Sequence, residues 1–159
     1  MSMHYFYNYK EELENKLKKV YSKALYELSV FKKRQGQLDV AQNMIEKYYE
    51  KLSEDLKDIM EVSAGNIKMI KTDDIIMKFI MYGHYVKYSR LEQGIEVEIG
   101  TYDEVSGLIE GRINSNIIPG EKKCVVKKIG KVHDGAHFDE NTINYYMNKA
   151  FSHLEILKN

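Results

Sequence analysis

The sequence predicts an α+β fold, with an N-terminal helical hairpin, an antiparallel sheet of four to five strands and a C-terminal helix packed on the sheet. Two observations carry this. Apolar residues recur at helical steps through the first third of the chain, and the pattern then changes to short alternating or continuous apolar runs bounded by turn residues. Glycine, proline and asparagine cluster between those runs, which keeps the connections short and favours antiparallel neighbours.

The first apolar stripe runs through Leu13, Leu17, Val20, Ala24, Leu28 and Phe31, in steps of three and four. A second runs through Ala41, Ile45, Tyr48, Leu52, Leu56 and Ile59. Asn8 with Glu11, and Asp39 with Gln42, have the spacing of helix N-terminal caps. Between the stripes, Lys32-Lys33-Arg34-Gln35-Gly36-Gln37-Leu38-Asp39 reads as a stop and a restart: basic residues in a last turn, glycine just past it, then an acidic cap. Residues 10–34 hold eight basic and four acidic groups and residues 39–61 hold three and seven, so two such helices would attract when folded back. Against this, the stripes are offset by 28 residues, a whole number of heptads, as one long helix would require. The hairpin over residues 1–62 is the favoured reading, with one long helix as the alternative.

Leu28-Ser29, Gln35-Gly36, Asp39, Ala41 and Ile45 together resemble the inter-helix turn of a tetratricopeptide hairpin. That resemblance implies two helices in close approach, with small residues at their crossing.

Residues 66–132 read as a β-meander. Ile67 to Lys71 opens it. Ile75 to Tyr82 is apolar on both faces, as in a central strand, with Gly83 a bulge or twist point. Glu92-Gln93-Gly94 turns the chain into Ile95 to Ile99, which alternates apolar with carboxylate residues. Leu108 to Ile118 follows, Pro119-Gly120 has the composition of a type II turn, and Lys122 to Ile129 closes the sheet. A helix over 139–157 starts at an Asp139 cap, with Ile143, Tyr146, Met147, Ala150, Phe151 and Leu154 facing the sheet.

At 159 residues the length suits one domain. A single cysteine excludes an internal disulfide and fits a reducing compartment. The first residues lack a signal-peptide pattern and no apolar run spans a bilayer, so a cytoplasmic protein is expected. Equal numbers of basic and acidic side chains, 24 of each, remove global charge as an argument for a polyanionic or polycationic partner. Phosphate-cradling glycine loops and the common hydrolase motifs are absent from the sequence.

Four local features carry chemistry. His133, Asp134 and His137 are donor types that suit a divalent metal, although Asp139 and Glu140 beside them also suit a helix start. Lys122, Lys123, Lys127 and Lys128 form a basic strand that could follow a phosphate backbone, with Tyr82, Tyr85 and Tyr88 expected nearby for stacking. The acidic stretch 92–111 is expected to lie across from that strand and neutralise it. His84 and Cys124 are candidate acid–base and nucleophilic groups, each also at home in a strand interior. Finally, Tyr5, Tyr7, Leu17, Ile45 and Leu52 are aromatic and stripe residues expected to meet another chain.

The reading with most support is an interaction or regulatory protein without cofactor, self-associating through its N-terminal helices, as a homodimer or with another protein. The alternatives are a small-ligand binder or enzyme with a Tyr/His-lined pocket, and a nucleic-acid accessory protein using residues 122–131.

Overall fold

The computed structural model describes residues 8–103, 105–128 and 135–158. The chain divides into two compact units, one ending at Arg34 and the other beginning at Gln35. Three helices come first: α1 (Tyr9–Val20), α2 (Ser22–Asp55) and α3 (Lys57–Val62). Six strands follow: β1 (Ile67–Ile70), β2 (Ile75–Met81), β3 (His84–Arg90), β4 (Ile95–Tyr102), β5 (Ile109–Ile118) and β6 (Val125–Lys128). Helix α4 (Glu140–Phe151) and a 3-10 helix (Glu155–Leu157) end the described chain.

Asn8 caps α1 as its spacing suggests, its side chain accepting from the Glu11 amide at 3.1 Å. The expected stop at Lys32–Asp39 does not form, because α2 runs through it and Gly36 is helical. This corrects the hairpin, and the tetratricopeptide-like turn with it. The cause lies in the sheet. Arg90 donates to Gln35 Oε1 at 3.0 Å and Gln42 Oε1 at 2.8 Å, and pairs with Asp39 at 3.1 Å. These three partners, at helical spacing, present one face of α2. Gln35 also donates to the Glu92 carbonyl, while Gln37 both donates to the Gly120 carbonyl and accepts from its N–H. With Leu38 wholly buried, these contacts outweigh the cost of about 1 kcal/mol for a glycine inside a helix. Asp39 and Gln42 therefore form no cap; together with Gln35 they hold the Arg90 guanidinium.

The sheet is a pure antiparallel meander in the order β1-β2-β3-β4-β5-β6. It has six strands rather than four to five, because Ile75 to Arg90 is a hairpin and not one long strand. Met81 pairs with His84 across Tyr82 and Gly83, which stand at φ +50° and +77°. Positive φ at both central residues is the mark of the type I′ turn, whose twist suits a two-residue hairpin. Tyrosine at the first position hides that turn from a search for Asn-Gly. The type II turn expected at Pro119-Gly120 is likewise replaced: Gly120 lacks the positive φ and is held by Gln37 instead.

One face of the sheet packs on the C-terminal part of α2 and on α4. Phe79, Val86, Tyr88, Ile95, Val97, Ile117 and Val126 point into that layer, meeting Leu38, Ile45 and Tyr49 of α2 and Ile143, Tyr146 and Phe151 of α4. An aromatic seam holds it: Tyr49 lies 5.9 Å from Phe79 and 5.6 Å from Tyr88, with Phe151 edge-on to Phe79 and Tyr146 edge-on to Tyr88. The C-terminal helix thus packs on the sheet as expected. It begins at an Asp139 capping box with Thr142, and stops at Phe151 rather than 157. Leu154 follows in extended conformation and still reaches the core.

Candidate functional site

The residues singled out by sequence fall into four groups in space. The most distinctive surface belongs to the first unit. No residue of α1 is buried, and the same holds for α2 from Ser22 to Arg34. Yet the stripe here is apolar: Leu13, Leu17, Val20, Leu28 and Phe31 are 42, 47, 73, 45 and 47% exposed. Tyr21 and Leu25 flank it and are open as well. Ion pairs Glu12–Lys16 at 3.1 Å and Glu14–Lys18 at 3.4 Å run along the helix. Such exposed pairs contribute only tenths of a kcal/mol.

Of the expected interaction residues, Leu17 lies in this stripe. Ile45 is wholly buried in the core of the second unit, where it faces the sheet. Leu52 is half-buried and walls a cleft of about 520 Å³ with Met44, Tyr48 and Lys51. Tyr5 and Tyr7 lie outside the described residues.

The basic strand is divided by the pleat. Lys122 and Lys123 sit in the loop before β6, beside Gln37, Cys124 and Phe138. Lys127 pairs in register with Asn116 and Lys128 with Ser115, so their side chains leave opposite faces of the sheet. The register does not set the acidic stretch directly across from them, because β6 pairs with the Ser115–Ile118 end of β5, which carries no carboxylate. Nor are the tyrosines adjacent: Tyr85 and Tyr88 belong to β3, three strands away, and are buried. Lys128 instead reaches Tyr145 of α4, 2.6 Å from its hydroxyl and 4.9 Å from its ring centre.

His133 and Asp134 lie outside the described residues, while His137 is exposed and bridges to Val125. Among the described residues, no three His, Cys, Asp or Glu side chains come together as metal ligands would. Cys124 is buried, donates to the Gln37 carbonyl at 3.4 Å, and has its thiol pushed up to about 11 by burial. His84 stands at the β2–β3 turn, its ring edge-on to His153 at 4.8 Å. Desolvation, and then the neighbouring imidazole, lower its pKa.

Sequence reasoning overlooked a polar cluster on the other face of the sheet. The Tyr85 hydroxyl donates to Glu98, which also pairs with Lys87 at 3.7 Å, and the Lys78 ammonium lies 4.5 Å over the Tyr85 ring. Gly100 and Gly111, paired across β4 and β5, make the room: a Cβ on Gly100 would stand 2.8 Å from the Tyr85 hydroxyl. That glycine pair was the available signal. Tyr85 is fully buried in this cluster, and Tyr49, Tyr88 and Tyr146 are fully buried in the core on the helix side of the sheet.

Among the described residues no helix is long and apolar enough to cross a membrane. No protein-family model matches the chain, no curated protein matches its sequence, and no solved structure matches its fold.

Proposed function

We propose that this chain is an interaction protein that pairs with a second copy of itself through residues 9–34, with the two helical segments antiparallel. The observation that carries the reading is the open apolar stripe Leu13–Phe31. Helices in proteins owe most of their stability to packing an amphipathic face, and this one has such a face and no burial. Scattered exposed leucines are ordinary on a protein surface; a stripe continuous over five helical steps is not.

The order of side chains supports a second copy as the occupant. Laid antiparallel, Leu13 faces Phe31, Leu17 faces Leu28 and Val20 faces Leu25, so the apolar contact is self-complementary, as a two-fold interface requires. The same register sets Glu11, Glu12 and Glu14 opposite Lys32, Lys33 and Arg34. A parallel pair would place those acidic and basic clusters each against its own kind, which costs rather than contributes. Antiparallel pairing therefore gives both apolar burial and charge complementarity.

Sedimentation velocity tests this. The wild-type chain is expected to run at twice the monomer mass, and Leu17→Glu or Leu28→Glu to run as a monomer with its near-ultraviolet tyrosine signal unchanged. A wild-type monomer at every concentration would overturn the proposal.

A further inference from the structure

The second unit holds a feature independent of the helical surface. Between β4–β5 and α4 lies a cavity of about 560 Å³, within the size range of small-molecule sites. Arg112 from β5, Lys128 from β6 and Lys149 from α4 converge on its wall, with Glu110 as the one carboxylate among the described residues that line it, and Ile99, Thr101 and Asn114 beside them. Three different elements thus supply one cation each, and with Glu110 the described lining carries a formal charge of about +2.

We propose that this cavity binds a small organic phosphate monoester, with the phosphate held by Arg112, Lys128 and Lys149 and the organic body against Ile99. The charge decides the class: a dianionic monoester matches a wall of about +2, whereas a carboxylate would leave half of it uncompensated. Arginine adds the planar fork that grips two phosphate oxygens at once. The site is local, too. Lys122, Lys123 and Lys127 lie in the β5–β6 loop or on the far face of the sheet, so the described residues do not form the continuous cationic track that a polynucleotide follows. Tyr145 reports the field in the same place: the Lys128 hydrogen bond, with Lys149 adding, holds its phenol below the usual range.

Isothermal titration of the full chain at low salt, with phenyl phosphate and inorganic phosphate as probes, tests the assignment. Phenyl phosphate is expected to bind at one site and more tightly than inorganic phosphate. Arg112→Gln and Lys149→Gln are both exposed changes that leave the core alone, and each is expected to weaken phenyl phosphate about tenfold. Lys127→Gln, on the opposite face, is expected to leave it unchanged. The proposal is overturned by absence of binding, by equal affinity for the two probes, or by variants indistinguishable from wild type. It is also overturned if Lys127→Gln weakens binding as much as the other two, which would mean diffuse attraction, or if an oligothymidylate outcompetes phenyl phosphate through Lys122 and Lys127.

Discussion

Tyrosine is the residue on which this core turns, and the hydroxyls explain how. Tyr88 and Tyr49 bring their oxygens within 2.8 Å, and Tyr49 donates onward to the Met147 sulfur at 3.2 Å, so Tyr88 is the donor to Tyr49. Tyr146 has no hydrogen-bond partner for its buried hydroxyl among the described residues. Burial dominates all three, and raises the pKa of Tyr49 and Tyr88 far above the usual value and that of Tyr146 to about 12. The sign of the consequence follows. A phenol whose folded pKa is raised stabilises the fold fully below the unfolded value near 10, and that stability is lost as pH climbs toward the folded value. Each of the three is expected to remove about 1.4 kcal/mol of stability per pH unit above 10, before Tyr145, shifted the other way, offsets part of the loss. Urea unfolding followed by circular dichroism at pH 8 and pH 11 is the check: the midpoint is expected to fall sharply at pH 11. An unchanged midpoint would mean that these hydroxyls are not desolvated.

At the scale of elements, α2 shows where sequence patterns stop informing. The stripes were legible, and the 28-residue offset between them suited a helix unbroken at Gly36, as α2 is, although α1 and α3 are separate from it; the stop signal at Lys32–Gly36 pointed away from that continuity. That signal is local, whereas the bonds that overrule it come from Arg90, Glu92 and Gly120, more than 50 residues further on. The α4 cap was readable because Asp139 stands just ahead of the apolar stripe with Glu140 beside it; its reciprocal bond with Thr142 was not part of that signal. The β2–β3 turn was not, since Tyr82 at φ +50° is a poor turn residue held there by the pairing of its flanking strands. The cation cavity was half legible: Lys128 stood out in a basic run, but Arg112 and Lys149 join it only through the sheet register and the docking of α4. Gly36 distinguishes the two readings of α2 by experiment. An added Cβ there meets nothing within 4 Å, so Gly36→Ala is expected to stabilise the chain by about 0.5–1 kcal/mol in urea unfolding. Were Gly36 the left-handed end of a helix, the same change would destabilise it instead.

For the molecule as a whole, zero net charge conceals a strong internal division. The basic excess lies in residues 10–34 and the acidic excess in residues 39–61, on helices that were expected to neutralise each other within one chain. With no turn between them, the charge order inside residues 10–34 becomes the relevant feature: Glu11, Glu12 and Glu14 near its start, Lys32, Lys33 and Arg34 at its end, and between them an apolar stripe flanked by lysines and Glu27. Such a segment is its own antiparallel complement. The proposed dimer and the phosphate cavity use separate parts of the chain, so either can be altered without the other.

The most direct measurement is disulfide trapping of that register in a Cys124→Ala background. Leu17→Cys and Leu28→Cys proteins are oxidised separately, then mixed, allowed to exchange and oxidised together. Antiparallel pairing predicts a covalent dimer only in the mixture, because each position faces the other across the two-fold axis. Covalent dimers from either protein by itself, or none in the mixture, would contradict it.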